Sequence, residues 1–380
     1  MIRRIAKVAV FIAAYSATVA VATPETGCVA GNCKNGQGTS VYDGDSQGQR
    51  YEGEFKRGQR HGQGVHHYPD GYYEGEWRRN KRRGQGTYHH HAGHQYSGQW
   101  RADHPHGHGT FTHASGNEYV GEWVEGTRNG HGVMTRADGS RYEGSWQNNQ
   151  YHGQGSFTDH KGNTYEGEYQ NGEPHGEGTF TGVDGHRYIG TWENGQRQGL
   201  GVLHYANGLR HEGSWLNGKE HGGGTTYFTD GDRYIGDYKH GERDGQGVYY
   251  FANGDRYIGG YQDQRKHGEG TYYYLNGERY SGQYLRGQKQ GEGMYRFIDG
   301  SVYKGKWADN HPNGQGITFY SDGTCYDGSW REGMKNGIGT LFEPDRVLHG
   351  EWKDDNLVKP LLDDAPPYSE GCEQLEIGQI

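Results

Sequence analysis

A period runs through this chain. The stretch "YEGEFKRGQRHGQG" at 51–64 returns as "YEGEWRRNKRRGQG" at 73, "YEGSWQNNQYHGQG" at 142 and "YIGTWENGQRQGLG" at 188. Aligned on aromatic-x-Gly-x-aromatic, the sequence holds fourteen copies led by Tyr51, Tyr73, Tyr96, Tyr119, Tyr142, Tyr165, Tyr188, His211, Tyr234, Tyr257, Tyr280, Tyr303, Tyr326 and Leu348. The step is 23 residues throughout, except for a first and a last step of 22. A fixed period of this size marks a repeat architecture. It also settles what the glycines are for: a phosphate-cradling loop occurs once per site, whereas these recur down the chain as backbone geometry.

Four residues after each leader stands another aromatic, and all nine tryptophans fall in that column. In a strand, side chains alternate between faces. Pairs such as Tyr73/Trp77, Tyr96/Trp100, Tyr119/Trp123 and Tyr142/Trp146 therefore point the same way, with a glycine between them. A glycine inside a strand marks close approach by something else, here expected to be a neighbouring aromatic. A glycine turn follows, then Gly-x-Gly and a second strand such as "VYYFA" (248–252) or "TYYYL" (271–275). Nine of the thirteen turns between repeats read Asp-Gly or Asn-Gly, as at Asp70-Gly71, Asn207-Gly208 and Asp322-Gly323. Those dipeptides favour type I′ hairpin turns with positive φ at both positions. The expected fold is all-β: an elongated, single-layer, twisted meander of about fourteen β-hairpins pairing edge to edge.

The unit resembles the membrane occupation and recognition nexus repeat, MORN, over about 36–352. The resemblance implies a hairpin solenoid used for scaffolding, self-association and contact with anionic lipids. "CVAGNCKNGQGT" resembles the entry into such arrays in secreted bacterial proteins. His211, Leu348 and the long connector at 39–50 depart from the pattern.

Composition agrees with an aromatic–glycine build. Leu, Ile, Val and Phe number only 49 of 380, yet there are 32 Tyr and 9 Trp, and disordered chains are poor in aromatics. Arg3, Arg4 and Lys7 precede the apolar run Val8 to Ala22, which ends in an A-x-A site. That is the layout of a signal peptide over 1–22, with a retained outward-facing anchor as the alternative. A periplasmic or secreted location follows. Residues 23–50 then form a cysteine-containing cap and half-repeat, 51–352 the array, and 353–380 an acidic tail. Without its three signal-peptide cations the net charge passes from −9 to −12, which argues against nucleic acid as a partner. Cys28 and Cys33 fit a small disulfide loop in an oxidising compartment, a redox or metal pair being the other reading. Whether Cys325 pairs with Cys372 stays open.

No catalytic block interrupts the array, no segment is large enough for a catalytic domain, and no cofactor is expected. Glu54, Glu76, Glu122 and Glu168 occupy one repeat column and read as a solvated strand face, since a general acid or base needs an individual environment. Eleven of 23 histidines lie between 61 and 113. Among them His89, His91 and His94 are candidates for a transition metal, against ordinary exposed histidine. Arg78, Arg79, Lys81, Arg82 and Arg83 crowd one turn of a region with ten Lys or Arg against six Asp or Glu (50–110). That turn is either simply solvated or a contact for phospholipid, lipopolysaccharide or another acidic polymer. The tryptophan column suggests sugar stacking or, more simply, the filling between hairpins. "VKPLL" in the tail is expected to cap the last hairpin, whose edge would otherwise invite pairing, and the acidic remainder to be mobile. The leading expectation is a non-catalytic scaffold for protein partners or self-association; the alternative is a binder of anionic envelope surfaces.

Overall fold

The computed structural model describes residues 27–43, 46, 48–361, 367–370 and 372–373. The expected signal peptide lies outside them. The chain divides into two compact units between Gln196 and Arg197, and both are antiparallel hairpin meanders.

In the N-terminal unit a hairpin of Cys28–Gly31 and Asn35–Val41 enters the array. The expected Cys28–Cys33 disulfide closes it. Each later repeat pairs a seven- or eight-residue strand with one of nine or ten residues, as in Gly71–Arg78 with Lys81–His90. Neighbouring repeats then join edge to edge, Lys81–His90 pairing with Gln95–Arg101. The second strands lie earlier than the sequence suggests: "VYYFA" and "TYYYL" are the ends of strands Glu242–Tyr250 and Arg265–Tyr273 and run into the next loop.

The turns reverse the expectation. Positive φ at two successive residues, the type I′ signature, occurs inside each repeat: Arg79-Asn80 (52° and 65°), Asn148-Asn149 (49° and 69°), Asn171-Gly172 (53° and 88°). Between repeats only the glycine is left-handed, as at Gly139 (87°). There Gly139 N–H donates to Arg136 O and Arg136 N–H to Ser140 O. This is a three-residue loop, a type I turn completed by a glycine bulge. The two 22-residue steps have one residue fewer. Tyr68 pairs directly with Gly71 around Pro69-Asp70, and Phe342 with Val347, with Glu343 N–H bonded to Arg346 O around Pro344-Asp345. Proline supplies the φ that the first turn position needs. Asp70-Gly71 is accordingly no I′ turn.

In the C-terminal unit the last repeat extends past 352, through strand Asn356–Pro360 paired with Val347–Lys353. The "VKPLL" segment thus contributes the closing strand. Cys325 and Cys372 form a disulfide across 47 residues. Tyr368 packs edge-on against Phe342 at 5.1 Å, and Ser369 donates to Asp327 Oδ2 at 2.6 Å. This part of the tail is therefore docked, not mobile.

Candidate interaction surface

One face of each unit is a filled aromatic rail. Tyr73, Trp77, Tyr96, Trp100, Tyr119, Trp123, Tyr142 and Trp146 are all buried. Each tyrosine folds over its own repeat's glycine pair, so a Cβ at Gly75 or Gly86 would collide with the Tyr73 ring. The group that approaches the glycine is thus the leader two residues earlier, not an aromatic from a neighbouring repeat. The Tyr73 hydroxyl donates to Glu76 O at 3.2 Å. Tyr73 stands edge to face with Trp77 (5.1 Å) and with Trp100 of the next repeat (5.2 Å). Such pairs add about 0.5–1.5 kcal/mol each beyond area burial. Every tryptophan Nε1–H donates to the second glycine carbonyl of the preceding Gly-x-Gly, Trp77 to Gly64 (3.1 Å) and Trp146 to Gly132 (3.0 Å) among them. The rail is filling, with no tryptophan face left for a sugar.

A column that sequence reasoning missed stands opposite the Trp position. Arg60, Arg82, Arg128 and Arg197 each lie 4.3–4.6 Å over the next repeat's tryptophan. Each also donates to a turn carbonyl in that repeat, as Arg128 does to Asn149 O at 3.1 Å. Arg243, Lys266, Lys289 and Lys335 continue the column in the C-terminal unit, but Pro105, Tyr151 and Glu220 interrupt it, which breaks the pattern in the sequence.

This divides the basic turn. Arg78, Arg79, Lys81 and Arg83 are exposed. Arg82 belongs to the rail: its guanidinium covers Trp100 at 4.3 Å, donates to Asp103 O at 2.9 Å and pairs with the Asp103 carboxylate at 3.6 Å. It is withdrawn from any anion-binding role.

The histidines also separate. His89 stacks on Tyr72 (4.4 Å) and meets Glu74 Oε1 at 3.3 Å. His91 sits exposed in the loop after the strand that ends at His90. His94 packs on His113 at 4.3 Å and His90 at 5.5 Å. Burial, then its two histidine neighbours, lower its pKa. Among the described residues no three His, Cys, Asp or Glu are arranged to hold a metal ion.

The glutamate column is more than a solvated face. Between Gly75/Gly86 and Trp77/Arg82 the second strand has two extra residues. At this bulge Gly84 adopts φ 65°, and Gln85 N–H donates to Glu76 Oε1 at 2.8 Å. Glu54 and Glu122 cap Gln63 and His131 in the same way.

The opposite sheet face carries side chains that differ from repeat to repeat. The position after each leader is Glu52, Glu74, Ser97, Val120, Glu143, Glu166 and Ile189 in the N-terminal unit, with Val120 and Ile189 45% and 37% exposed. Two shallow depressions on this face follow the glycine stripes, one beside Glu52 and Val65, the other beside Thr225 and Ile235.

The MORN repeat profile matches thirteen consecutive stretches, from 51–71 to 326–343. No curated protein matches the sequence. Solved structures with some likeness include the TCP10 domain of Danio rerio CPAP in complex with a STIL peptide (13% identity, 62% of this chain, 99% of that one, TM-score 0.32). The Drosophila melanogaster SAS-4 TCP domain, in complex with a proline-rich motif of Ana2, is another (18%, 47% and 90%, 0.28). A virginiamycin B lyase from Staphylococcus aureus is a third (10%, 70% and 83%, 0.13). Likenesses of this size say nothing about what the chain binds.

Proposed function

The chain belongs to the MORN repeat family, and from that premise we propose that it is a non-catalytic scaffold. Its working surface is the sheet face opposite the aromatic rail, offered to protein partners or to a second copy. One observation carries this reading. The leading tyrosines spend their hydroxyls on their own strand and the tryptophans their indole N–H groups on glycine carbonyls, while the opposite face varies between repeats. The two disulfides support work in an oxidising compartment, in keeping with the signal peptide expected over 1–22.

A photo-cross-linkable residue at Val120, Glu143 or Ile189 tests it. Scaffolding predicts cross-links to a protein, or to a second copy, that persist at high salt. Cross-linking that is no stronger at these three positions than at Arg79 would sink the idea. The exposed cations Arg78, Arg79, Lys81 and Arg83 favour a second reading, contact with an anionic envelope surface, each cation contributing ~1 kcal/mol at a membrane. Sedimentation with anionic vesicles, lost when these four alone become serine, would put that reading first.

A further inference from the structure

In the C-terminal unit the face opposite the rail carries a ladder in which arginine and tyrosine alternate across successive strands. Tyr227 pairs with Arg233, Arg233 with Tyr250, Tyr250 with Arg256, Arg256 with Tyr273 and Tyr273 with Arg279. The Arg233 guanidinium lies 4.5 Å over the Tyr250 ring, and Arg256 lies 4.5 Å over Tyr273. Stacking holds each guanidinium flat and leaves the N–H donors of its edge available, in the fork that suits carboxylates.

These cations lack acidic partners. Among the described residues Arg233 and Arg256 form no ion pair within 4 Å, while Arg210, at the start of the row, is paired with Glu212. At the other end Arg279 stands directly opposite Arg296 on the neighbouring strand. Like charges so placed are destabilising, and an anion bound between them relieves the repulsion. The adjacent row on the same face is uncharged along this length: Thr225, Ile235, Val248, Ile258, Thr271 and Ser281. The positive charge therefore runs in one line and not over a plane, the row beyond carrying Asp237 and Glu269.

We propose that this ladder binds a linear acidic polysaccharide carrying one carboxylate per disaccharide. Arginines recur on every second strand, so their spacing is about 9.6 Å. That matches the repeat of a disaccharide unit. Side chains on one face of an extended acidic peptide recur about every 6.8 Å and fall out of step after one contact. A lipid surface offers anions in two dimensions, where this face supplies cations in only one. The exposed Ile235 and Ile258 beside the ladder lie where the apolar faces of sugar rings would rest. The ladder is a different surface from the basic turn, and failure of polysaccharide to bind it would leave protein partners at Val120, Glu143 and Ile189 untouched.

Calorimetric titration of the whole protein with a hyaluronan octasaccharide tests it. Dextran of equal length, poly-glutamate and anionic phosphatidylglycerol vesicles serve as comparisons. The expected result is hyaluronan binding that weakens at least tenfold in R233Q/R256Q, fades at 0.5 M salt as screening shortens to a few Å (about 4 Å), and is absent for dextran. The variant R233K/R256K keeps the charge but not the fork and is expected to lose affinity severalfold. Near-UV circular dichroism of the buried rail reports whether either variant still folds. No hyaluronan binding by the wild type, unchanged affinity in a folded R233Q/R256Q, or equal affinity for poly-glutamate or vesicles would each overturn the proposal.

Discussion

At the residue scale, the fold depends on which aromatic stands where. A tyrosine leader is the ring that lies over a glycine pair and still reaches its own strand's carbonyl, and tryptophan adds an N–H aimed at the preceding repeat. Tyr284 occupies a tryptophan position with a buried hydroxyl that has no partner. Tyr284→Trp is expected to raise stability by about 1 kcal/mol by supplying that donor, which chemical denaturation would detect. His211 occupies a leader position, with Nδ1 bonded to Thr226 and Nε2 unpaired. Burial, then Arg197, pushes its pKa down to about 4. The unfolded chain therefore takes up a proton below pH 6.5 that the folded chain refuses, and stability falls as pH falls from there towards 4. The loss at pH 5 is on the order of 2 kcal/mol. His211→Tyr should flatten the stability profile between pH 7 and 5; an unchanged slope would mean that other groups set it.

Among the elements, strands were legible and turns were not. The period-two pattern of "YEGEW" places strand, face and register in one step. The Asp-Gly dipeptide misleads because turn type depends on how many residues the pairing leaves unpaired. Here the count is three, and only Gly139 and its equivalents become left-handed. The I′ turns hide in pairs such as Asn148-Asn149, which sequence presents as ordinary polar residues. The same limit applies to the basic turn. Five cations look equivalent in "RRNKRR", but strand alternation and the facing Trp77 turn Arg82 inward. We expect Arg82→Ser to cost about 1–3 kcal/mol through the lost contacts with Trp100 and with the Asp103 carbonyl. Arg79→Ser should stay within ~0.5 kcal/mol. Thermal melts of the two single variants check this, and equal melts would show that Arg82 is not part of the rail.

For the molecule as a whole, each repeat touches its neighbours, so stability approximates a sum over repeats and their interfaces. The Cys325–Cys372 bridge is the exception, tying a distant part of the tail to the sheet. Closing a loop of that size contributes about 4 kcal/mol on the chain-entropy account. Cys372→Ala is expected to speed amide exchange in strands Cys325–Arg331 and Met334–Phe342 while leaving the strands before 196 unchanged. A uniform change along the chain would contradict nearest-neighbour behaviour.

The tryptophan column has an optical side as well. Light absorbed selectively by indole is emitted from nine known addresses, with tyrosines such as Tyr73 only 5.1 and 5.2 Å from Trp77 and Trp100. Three consecutive repeats carry Tyr238, Tyr261 and Tyr284 in that column instead. A melt followed by tryptophan emission is dark across that stretch, the very repeats that bear the arginine ladder. Tyr261→Trp would place a lamp there.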